Sequence, residues 1–154
     1  MINSYLSRQI TQNFPHNPTE DQFSALKTLT DFLLSVESDT LLLLKGYAGT
    51  GKTSLVGALV KTLNELQQKT FLLAPTGRAA KVFSNYSGQK AYTIHKKIYR
   101  QKAFSNKPTG FMPADNLHKD TLFIVDEASM ISNDGIDSIS FGTGRLLDLS
   151  LIHI

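Results

Sequence analysis

The sequence contains no cysteine among its 154 residues, and this absence excludes disulfide bonds and zinc sites built from thiolates. It also fits a reducing cytoplasm, where we expect the chain to be located. No apolar run approaches the ~20 residues of a membrane-spanning helix, and the N-terminal stretch MINSYLSRQITQNF lacks the basic and then apolar layout of a secretory signal. Internal repeats and low-complexity tracts are absent as well. Together these absences predict a soluble chain with no membrane partner.

The composition is that of a globular protein, with 41% hydrophobic and 19% charged residues and a formal net charge of +3. The length suits one domain with a real core. The charge is unevenly distributed, because residues 51–120 hold twelve lysines and arginines against three acids, whereas both flanking parts carry an acidic surplus. Two interpretations stay open for this basic segment: a surface that meets a polyanion, or an ordinary solvated surface.

Short apolar runs alternate with amphipathic segments along the chain. Continuous apolar runs predict strands buried on both faces, and we place them at 40–45, 69–77 and 121–125. Apolar residues spaced by three or four predict helices, and we place these after a Thr19 cap and at 52–68, 78–86 and 91–100. Strand, helix, strand, helix, strand is typical of an α/β fold, a parallel sheet with helices on both faces.

The stretch GYAGTGKTS fits the pattern G-x-x-x-x-G-K-[ST]. Its glycines let the backbone turn tightly and point successive N–H groups at one anion, and the following helix adds the positive end of its dipole. The pattern predicts a loop for the phosphates of ATP, in which Lys52 reaches the β- and γ-phosphates and the hydroxyl of Thr53 holds Mg²⁺. The competing interpretation is a plain glycine turn. The loop residues predicted to bind ATP are Gly46, Tyr47, Ala48, Gly49, Thr50, Gly51, Lys52, Thr53 and Ser54.

A second constellation is LFIVDE, an apolar strand that ends in Asp126 and Glu127. Open α/β sheets gather their ligands at the carboxyl ends of the strands. Asp126 is predicted to hold Mg²⁺ through its water shell, and Glu127 to be the catalytic general base toward the attacking water. Acids also end strands simply because the chain reaches solvent there. A water-activating glutamate beside the metal ligand favours hydrolysis of ATP over transfer of phosphate to a substrate hydroxyl.

The segments GYAGTGKTS, APTGRAAK, TIHKKIY and VDEASM occur in this order and resemble motifs I, Ia, Ib and II of superfamily 1 DNA helicases of the RecD-like branch. The earlier segment PTEDQFSAL resembles the Q motif of that group. The resemblance extends from Pro18 to Asp134, and its second and third segments are more specific than the phosphate loop alone. It implies a RecA-like P-loop NTPase domain over residues 18–147, preceded by an N-terminal segment at 1–17.

Carried over residue by residue, the resemblance implies a motor that uses ATP and Mg²⁺ to move on single-stranded DNA. Gln22 would read the adenine, and Lys52 would act in catalysis at the phosphates. A strand tip presents N–H groups and hydroxyls to DNA phosphates, and basic side chains follow it. The residues that the resemblance assigns to the single-stranded DNA track are Pro75, Thr76, Gly77, Arg78, Lys81, Thr93 and His95.

Aromatic residues interleave with lysines and arginines in the basic segment, from Tyr92 to Phe111. Such interleaving is typical of a surface on which bases stack. An equally good interpretation places Tyr92 and Tyr99 in the core of a short helix.

The sequence departs from the family after VDEASM. Helicases of this group continue with a Gly-Asp-x-x-Gln motif on a further strand and then a second RecA-like domain that supplies arginine fingers, and neither occurs in this sequence. We therefore expect an incomplete first motor domain, with a helix and loop at 135–147, that does not unwind DNA alone. Without the further strand, the strands at 40–45 and 121–125 would lack a shared neighbour, so we expect marginal stability.

The final residues, 148–154, are expected to be a non-native tail, since LSLIHI resembles a translated sequencing adapter. An ordinary apolar terminal strand is the alternative. Two other functions also stay open. A small phosphotransferase would need a lid over its substrate, for which the polar segment 101–120, predicted to be an exposed loop, is the candidate. A nucleotide-binding remnant would hold ATP without turning it over.

Overall fold

The computed structural model describes residues 2–35, 40–101, 111–113 and 117–131. Along these ranges, three helices come first, three strands then alternate with two helices, and two further strands and a short 3₁₀ helix follow. The elements are α1 (Ile2–Gln12), α2 (Glu20–Leu33), α3 (Lys52–Glu65), β1 (Thr70–Ala74), α4 (Gly77–Ser87), β2 (Ala91–Thr93), α5 (Ile94–Ile98), β3 (Tyr99–Gln101), β4 (Phe111–Pro113), β5 (Leu122–Val125) and the 3₁₀ helix (Ala128–Met130).

A three-stranded parallel sheet with the order β2-β1-β5 forms the centre of the molecule. Leu72 of β1 pairs with Ala91 on one side and with Ile124 on the other. The β5 ladder continues past the strand, because the Asp126 N–H donates to the Leu73 carbonyl over 3.0 Å. All three strands therefore end at the same edge, which we call the carboxyl edge. β3 and β4 form a separate antiparallel pair.

Helices α3 and α4 cover one face of this sheet. Leu55, Leu59 and Leu63 recur at helical spacing along α3 and pack with Leu122 of β5 in one buried cluster. A second buried cluster joins Val60 of α3, Leu72 of β1 and Phe83 of α4. Close-packed apolar contact of this kind fixes the position of both helices on the sheet.

The opposite face of the sheet carries aromatic side chains. Phe71 and Phe123 are neighbours in register, and their rings stack with centroids 5.6 Å apart. Lys97 of α5 places its ammonium 3.6 Å from the centroid of Phe71, and the loss of water around it lowers the pKa of Lys97. α5 therefore lies on the face opposite α3 and α4, and the prediction of helices on both faces is confirmed.

α2 begins as the sequence predicts. The Gln22 N–H donates to the Thr19 hydroxyl over 3.3 Å, and the Thr19 N–H donates to Gln22 Oε1 over 3.0 Å, which completes a capping box. α1 was not predicted, although Leu6 and Ile10 follow a helical spacing and are buried in the core formed by α3. The amide of Asn13 adds a 2.9 Å bond to the Thr62 hydroxyl of α3.

The predicted buried strand at 40–45 is wrong. Residues 40–46 have no regular secondary structure, and the side chains of Leu41 and Leu43 are 80% and 60% exposed. An apolar run forms a strand only where it pairs with a neighbour; both edges of β1 are taken by β2 and β5, and residues 40–46 pair with none of the described strands. Among the described residues, no strand pairs with the outer edge of β5.

Three further predictions need correction. The predicted helix at 91–100 divides into β2 and the short α5, because Ala91 to Thr93 gain ladder bonds to β1 that outweigh their helical preference. The predicted loop at 101–120 contains part of an antiparallel pair, since Gln101 aligns with Phe111. The helix at 52–68 ends at Glu65, which leaves Leu66 46% exposed beyond the apolar stripe.

Some predictions fall outside the described residues. These are the helix and loop at 135–147 and the non-native tail at 148–154. The domain boundaries stay predictions as well. Among the helices within the described ranges, none combines the length and apolarity that a bilayer crossing requires.

We expect Phe83→Ala to destabilise the protein by about 3–5 kcal/mol, because it empties the most buried large site between α3, α4 and β1. Val82→Ala on the same helix is the matched control, since Val82 is 54% exposed, and it should change the free energy of unfolding by less than about 0.5 kcal/mol. Urea denaturation measures both. Equal effects of the two substitutions would contradict this packing.

Candidate nucleotide-binding site

The predicted phosphate loop is wrapped around a lysine ammonium. Lys52 Nζ donates to the carbonyl oxygens of Gly46 over 2.5 Å and Tyr47 over 2.8 Å. The Thr50 hydroxyl donates to the same Tyr47 carbonyl over 2.8 Å. Gly49 and Gly51 have φ angles of +80° and +83°, which glycine adopts without the steric cost that other residues meet. The glycines are thus used for the tight loop that the sequence predicts.

Gln22 ties this loop to the start of α2. Its Nε2 donates to the Thr50 carbonyl over 3.0 Å, while its Oε1 accepts from the Thr19 N–H. The side chain is buried, and a Cβ added to Gly51 would lie 2.1 Å from Gln22 Nε2. An amide has two donor and two acceptor positions, so these two bonds leave one of each. Adenine has an acceptor at N7 and a donor at N6. The remaining donor and acceptor of the Gln22 amide are complementary to these two groups.

The loop opens α3, whose first residue is Lys52 and whose N-cap is Gly51. The last turn of α3 lies at the amino ends of the strands, because residues 66–69 join it directly to the start of β1. The first turn of α3 therefore points toward the carboxyl edge. Its N–H groups and dipole favour an anion there. Thr53 is exposed in this turn, and Ser54 is partly buried.

The predicted acidic pair also lies at the carboxyl edge. The Asp126 carboxylate accepts a 2.9 Å hydrogen bond from the Tyr86 hydroxyl of α4. Burial, this hydrogen bond and the negative charges of Asp126 and Glu127 together raise the pKa of Tyr86 well above its usual value. Glu127 is exposed and has a φ of +55°, a left-handed conformation that costs a non-glycine residue about 1–2 kcal/mol. Tyr86 was not singled out by any sequence motif.

Lys52 and Asp126 belong to the same face of the sheet. Leu122, Ile124 and Asp126 alternate along β5, so Asp126 projects toward the same side as the residues that pack under α3 and α4. Its bond to Tyr86 of α4 agrees with this placement. The structure thus brings Lys52 and Asp126 to the same edge and the same face, although their own hydrogen bonds go to different partners.

The oxygen donors in this region suit magnesium. Within the described ranges, no group of three or more histidine, aspartate or glutamate side chains forms a metal cluster. Mg²⁺ in nucleotide sites needs fewer protein ligands, because it binds one or two protein oxygens together with phosphates and water. The Thr53 hydroxyl and the Asp126 carboxylate are the residues that fit this chemistry.

The residues predicted to contact DNA gather at the ends of β1 and β2. Ala74 and Thr93 are in register, so the segments that follow the two strands are neighbours. The Thr76 hydroxyl caps α4 by accepting from the Ala79 N–H over 3.2 Å, and the Thr93 hydroxyl accepts from the Lys96 N–H over 3.3 Å.

The side chains around these two caps differ in their exposure. Pro75 is buried and His95 is partly buried, whereas Gly77, Arg78 and Lys81 are exposed. A Cβ added to Gly77 would have no heavy atom within 4 Å. The first turn of α4 is therefore open to a backbone ligand.

In the P-loop NTPases, a glycine loop opens a helix at the carboxyl edge of a parallel sheet, and an acidic strand end projects from the same face. This protein has that arrangement. The α/β RecA-like P-loop fold expected from the sequence is confirmed. A family model described as an AAA domain matches residues 19–140. Since this match takes in most of the chain, the protein belongs to the AAA domain family.

The chain is also similar to a DNA helicase. It is 32% identical over 116 residues to the ATP-dependent RecD2 DNA helicase of Deinococcus radiodurans. The alignment covers 75% of this chain and 14% of that protein, so the chain spans a small part of its relative's length. The resemblance to RecD-like helicases is therefore confirmed.

We expect Gly51→Ala to destabilise the folded protein more than Gly49→Ala does. Both substitutions force a side chain into a left-handed conformation, at a cost of about 1–2 kcal/mol. Only the methyl group at position 51 also displaces the buried Gln22 amide, because a Cβ at Gly49 would have no heavy atom within 4 Å. Thermal unfolding measures both costs.

A second background isolates the contribution of Gln22. In the Gln22→Ala background, the difference between Gly51→Ala and Gly49→Ala should vanish, because only the left-handed strain that both substitutions share would remain. If that difference persists unchanged, the amide is not what the methyl group displaces.

Proposed function

We propose that this chain is the ATP-binding and ATP-hydrolysing motor domain of a helicase that acts on single-stranded DNA. The observation that carries the proposal is the placement of the Lys52 loop and the acidic end of β5 at one edge and on one face of the sheet. The adjacent ends of β1 and β2 supply a second, exposed surface at the same edge. The similarity to a RecD2 DNA helicase supports the choice among P-loop enzymes.

Each residue of the site has a role that its surroundings allow. The phosphates of ATP would replace the loop carbonyls as partners of the Lys52 ammonium and would also accept bonds from the N–H groups of the loop. Thr53 and Asp126 would hold Mg²⁺, which supplies positive charge at the phosphate oxygens when bound. Glu127 is exposed and would accept the proton of the attacking water.

Gln22 is proposed to read the adenine with the amide positions that the capping box and the Thr50 carbonyl leave. The residues of the ATP site therefore come from α2, the loop, α3 and the end of β5.

Single-stranded DNA would bind across the ends of β1 and β2. The first-turn N–H groups of α4 and the exposed side chains of Arg78 and Lys81 present donors and positive charge to phosphates. Thr93 and His95 extend this surface to the neighbouring strand. Translocation would further require a second RecA-like domain as a partner, because an arginine supplied from such a domain stabilises the charge of phosphoryl transfer.

Removing the charge of Lys52 and the base function of Glu127 should have different effects. Lys52→Ala should lower the affinity for MgATP at least about tenfold and abolish hydrolysis, because an ammonium hydrogen-bonded to phosphate contributes more than about 1.4 kcal/mol. Glu127→Gln should keep the affinity and lower kcat about 10²- to 10⁴-fold, since it removes a general base. Titration with a fluorescent ATP analogue and phosphate release, with and without single-stranded DNA, measure both.

The control for these variants is Lys61→Ala, which removes an exposed lysine from the same helix. Stimulation of phosphate release by single-stranded DNA supports the helicase, whereas transfer of phosphate to a small acceptor would support a phosphotransferase. Nucleotide binding with no turnover under any condition would identify the binding-only protein. Full activity of Lys52→Ala would exclude the proposed site.

Arg78→Ala should weaken binding of single-stranded DNA and flatten its dependence on salt. Each lost phosphate contact lowers the slope of log affinity against log salt by about 0.7 for a single strand. Lys61→Ala changes the net charge equally but lies on α3 away from the strand ends, so it should leave the slope unchanged. Fluorescence anisotropy with an oligonucleotide at several salt concentrations gives the slopes. Equal slopes for the two variants would remove Arg78 from the DNA track.

A further inference from the structure

Tyr86 is held firmly beside the candidate metal ligand. Its ring stacks on Phe83 with centroids 5.1 Å apart and an interplanar angle of 24°, and Phe83 is fully buried. On α3, a Cβ added to Gly57 would lie 3.4 Å from the Tyr86 carbonyl oxygen and 3.8 Å from its ring. The partly buried ring therefore packs against Phe83 of its own helix and close to Gly57 of α3, while the hydroxyl donates to Asp126 Oδ2 over 2.9 Å.

We propose that Tyr86 is a positioning residue for magnesium binding, which acts by holding the Asp126 carboxylate in one orientation. The proposal rests on the proposed function, because it assigns Asp126 to Mg²⁺. The hydroxyl occupies one site on one carboxylate oxygen, and an ionised carboxylate offers about four such sites in all. Enough acceptor positions therefore remain for a metal or its water shell.

The effect of this bond follows from the freedom of a carboxylate. The terminal torsion of aspartate has broad, roughly two-fold preferences, so without a partner the group must be ordered when a metal binds. A bond to a ring that is itself fixed by packing supplies that order in advance. Partners of this kind typically change metal affinity or activity 10- to 100-fold when they are removed.

A different role for the same bond would be structural only. The hydroxyl would then join α4 to the end of β5, and its loss would affect folding without any particular effect on the metal. A third possibility is competition, in which the hydroxyl occupies an oxygen that Mg²⁺ would otherwise use, so that its removal tightens metal binding. The affinity for Mg²⁺ separates these cases. Removal of the Tyr86 hydroxyl should lower this affinity if the residue positions Asp126, leave it unchanged if the bond is only structural, and raise it if the hydroxyl competes with the metal.

The test compares Tyr86→Phe with wild type in the full chain. This substitution removes the hydroxyl and keeps the ring that stacks on Phe83. A fluorescent ATP analogue is titrated at increasing Mg²⁺ concentrations and also in EDTA. The Mg²⁺ concentration for half-maximal enhancement of nucleotide affinity should rise about tenfold, while the affinity in EDTA stays the same. Tyr5→Phe, at an exposed position on α1, is the matched control and should leave both values unchanged.

The Asp126→Asn background shows whether Tyr86 acts through this carboxylate. In that background, Tyr86→Phe should have no further effect on the Mg²⁺ dependence. A further loss there would mean that Tyr86 acts elsewhere and would overturn the proposal. In the protein that keeps Asp126, an unchanged or lower Mg²⁺ requirement of Tyr86→Phe would also overturn the proposal.

A measurement without nucleotide tests the bond itself. Tyr86→Phe, Asp126→Ala and the double variant form a cycle on the equilibrium constant of unfolding in urea. A hydrogen bond between the two groups makes the effects non-additive by about threefold to tenfold, and additive effects would show that the bond is absent. If wild type lacks Mg²⁺-dependent nucleotide binding, the proposed function falls together with this inference. If wild type has it and Tyr86→Phe matches wild type, only the inference falls.

Discussion

The packing of α3 on the sheet is the contact on which the candidate site depends. One end of this helix carries the phosphate loop, and its apolar stripe of Leu55, Leu59 and Leu63 lies against Leu122. Together with the cluster of Val60, Leu72 and Phe83, that contact fixes the loop relative to the acidic end of β5, because residues 40–46 do not join the sheet. Hydrophobic burial in the helix thus determines where the charged groups stand.

Backbone carbonyl groups surround the positive charge of Lys52 in the loop. The Lys52 ammonium donates hydrogen bonds to the carbonyl groups of Gly46 and Tyr47. The dipoles of these two carbonyl groups partly balance its charge. A phosphate would exchange these neutral partners for charged ones, and charge-assisted hydrogen bonds are roughly twice as strong as neutral ones. In the proposed function, a nucleotide would bind by this exchange of hydrogen-bond partners at Lys52.

Sequence reasoning succeeded where the determinants are local. The Thr19 capping box, the apolar stripe of α3 and the strands around Leu72 and Ile124 follow from side chains close to each other along the chain. It failed where distant segments compete for pairing, as for the strand predicted at 40–45.

The candidate site divides in the same way. The glycines and Lys52 follow a local pattern, whereas the contact between Tyr86 and Asp126 joins residues 40 positions apart. No spacing rule links such a pair. Gly57 extends this point, because the lack of a side chain there lets α3 approach the backbone of α4 at Tyr86. The position of the Tyr86 ring therefore depends on the separation of α3 and α4. A larger residue at position 57 would push the two helices apart. Through Tyr86, this shift would move the Asp126 carboxylate, which residue 57 does not contact.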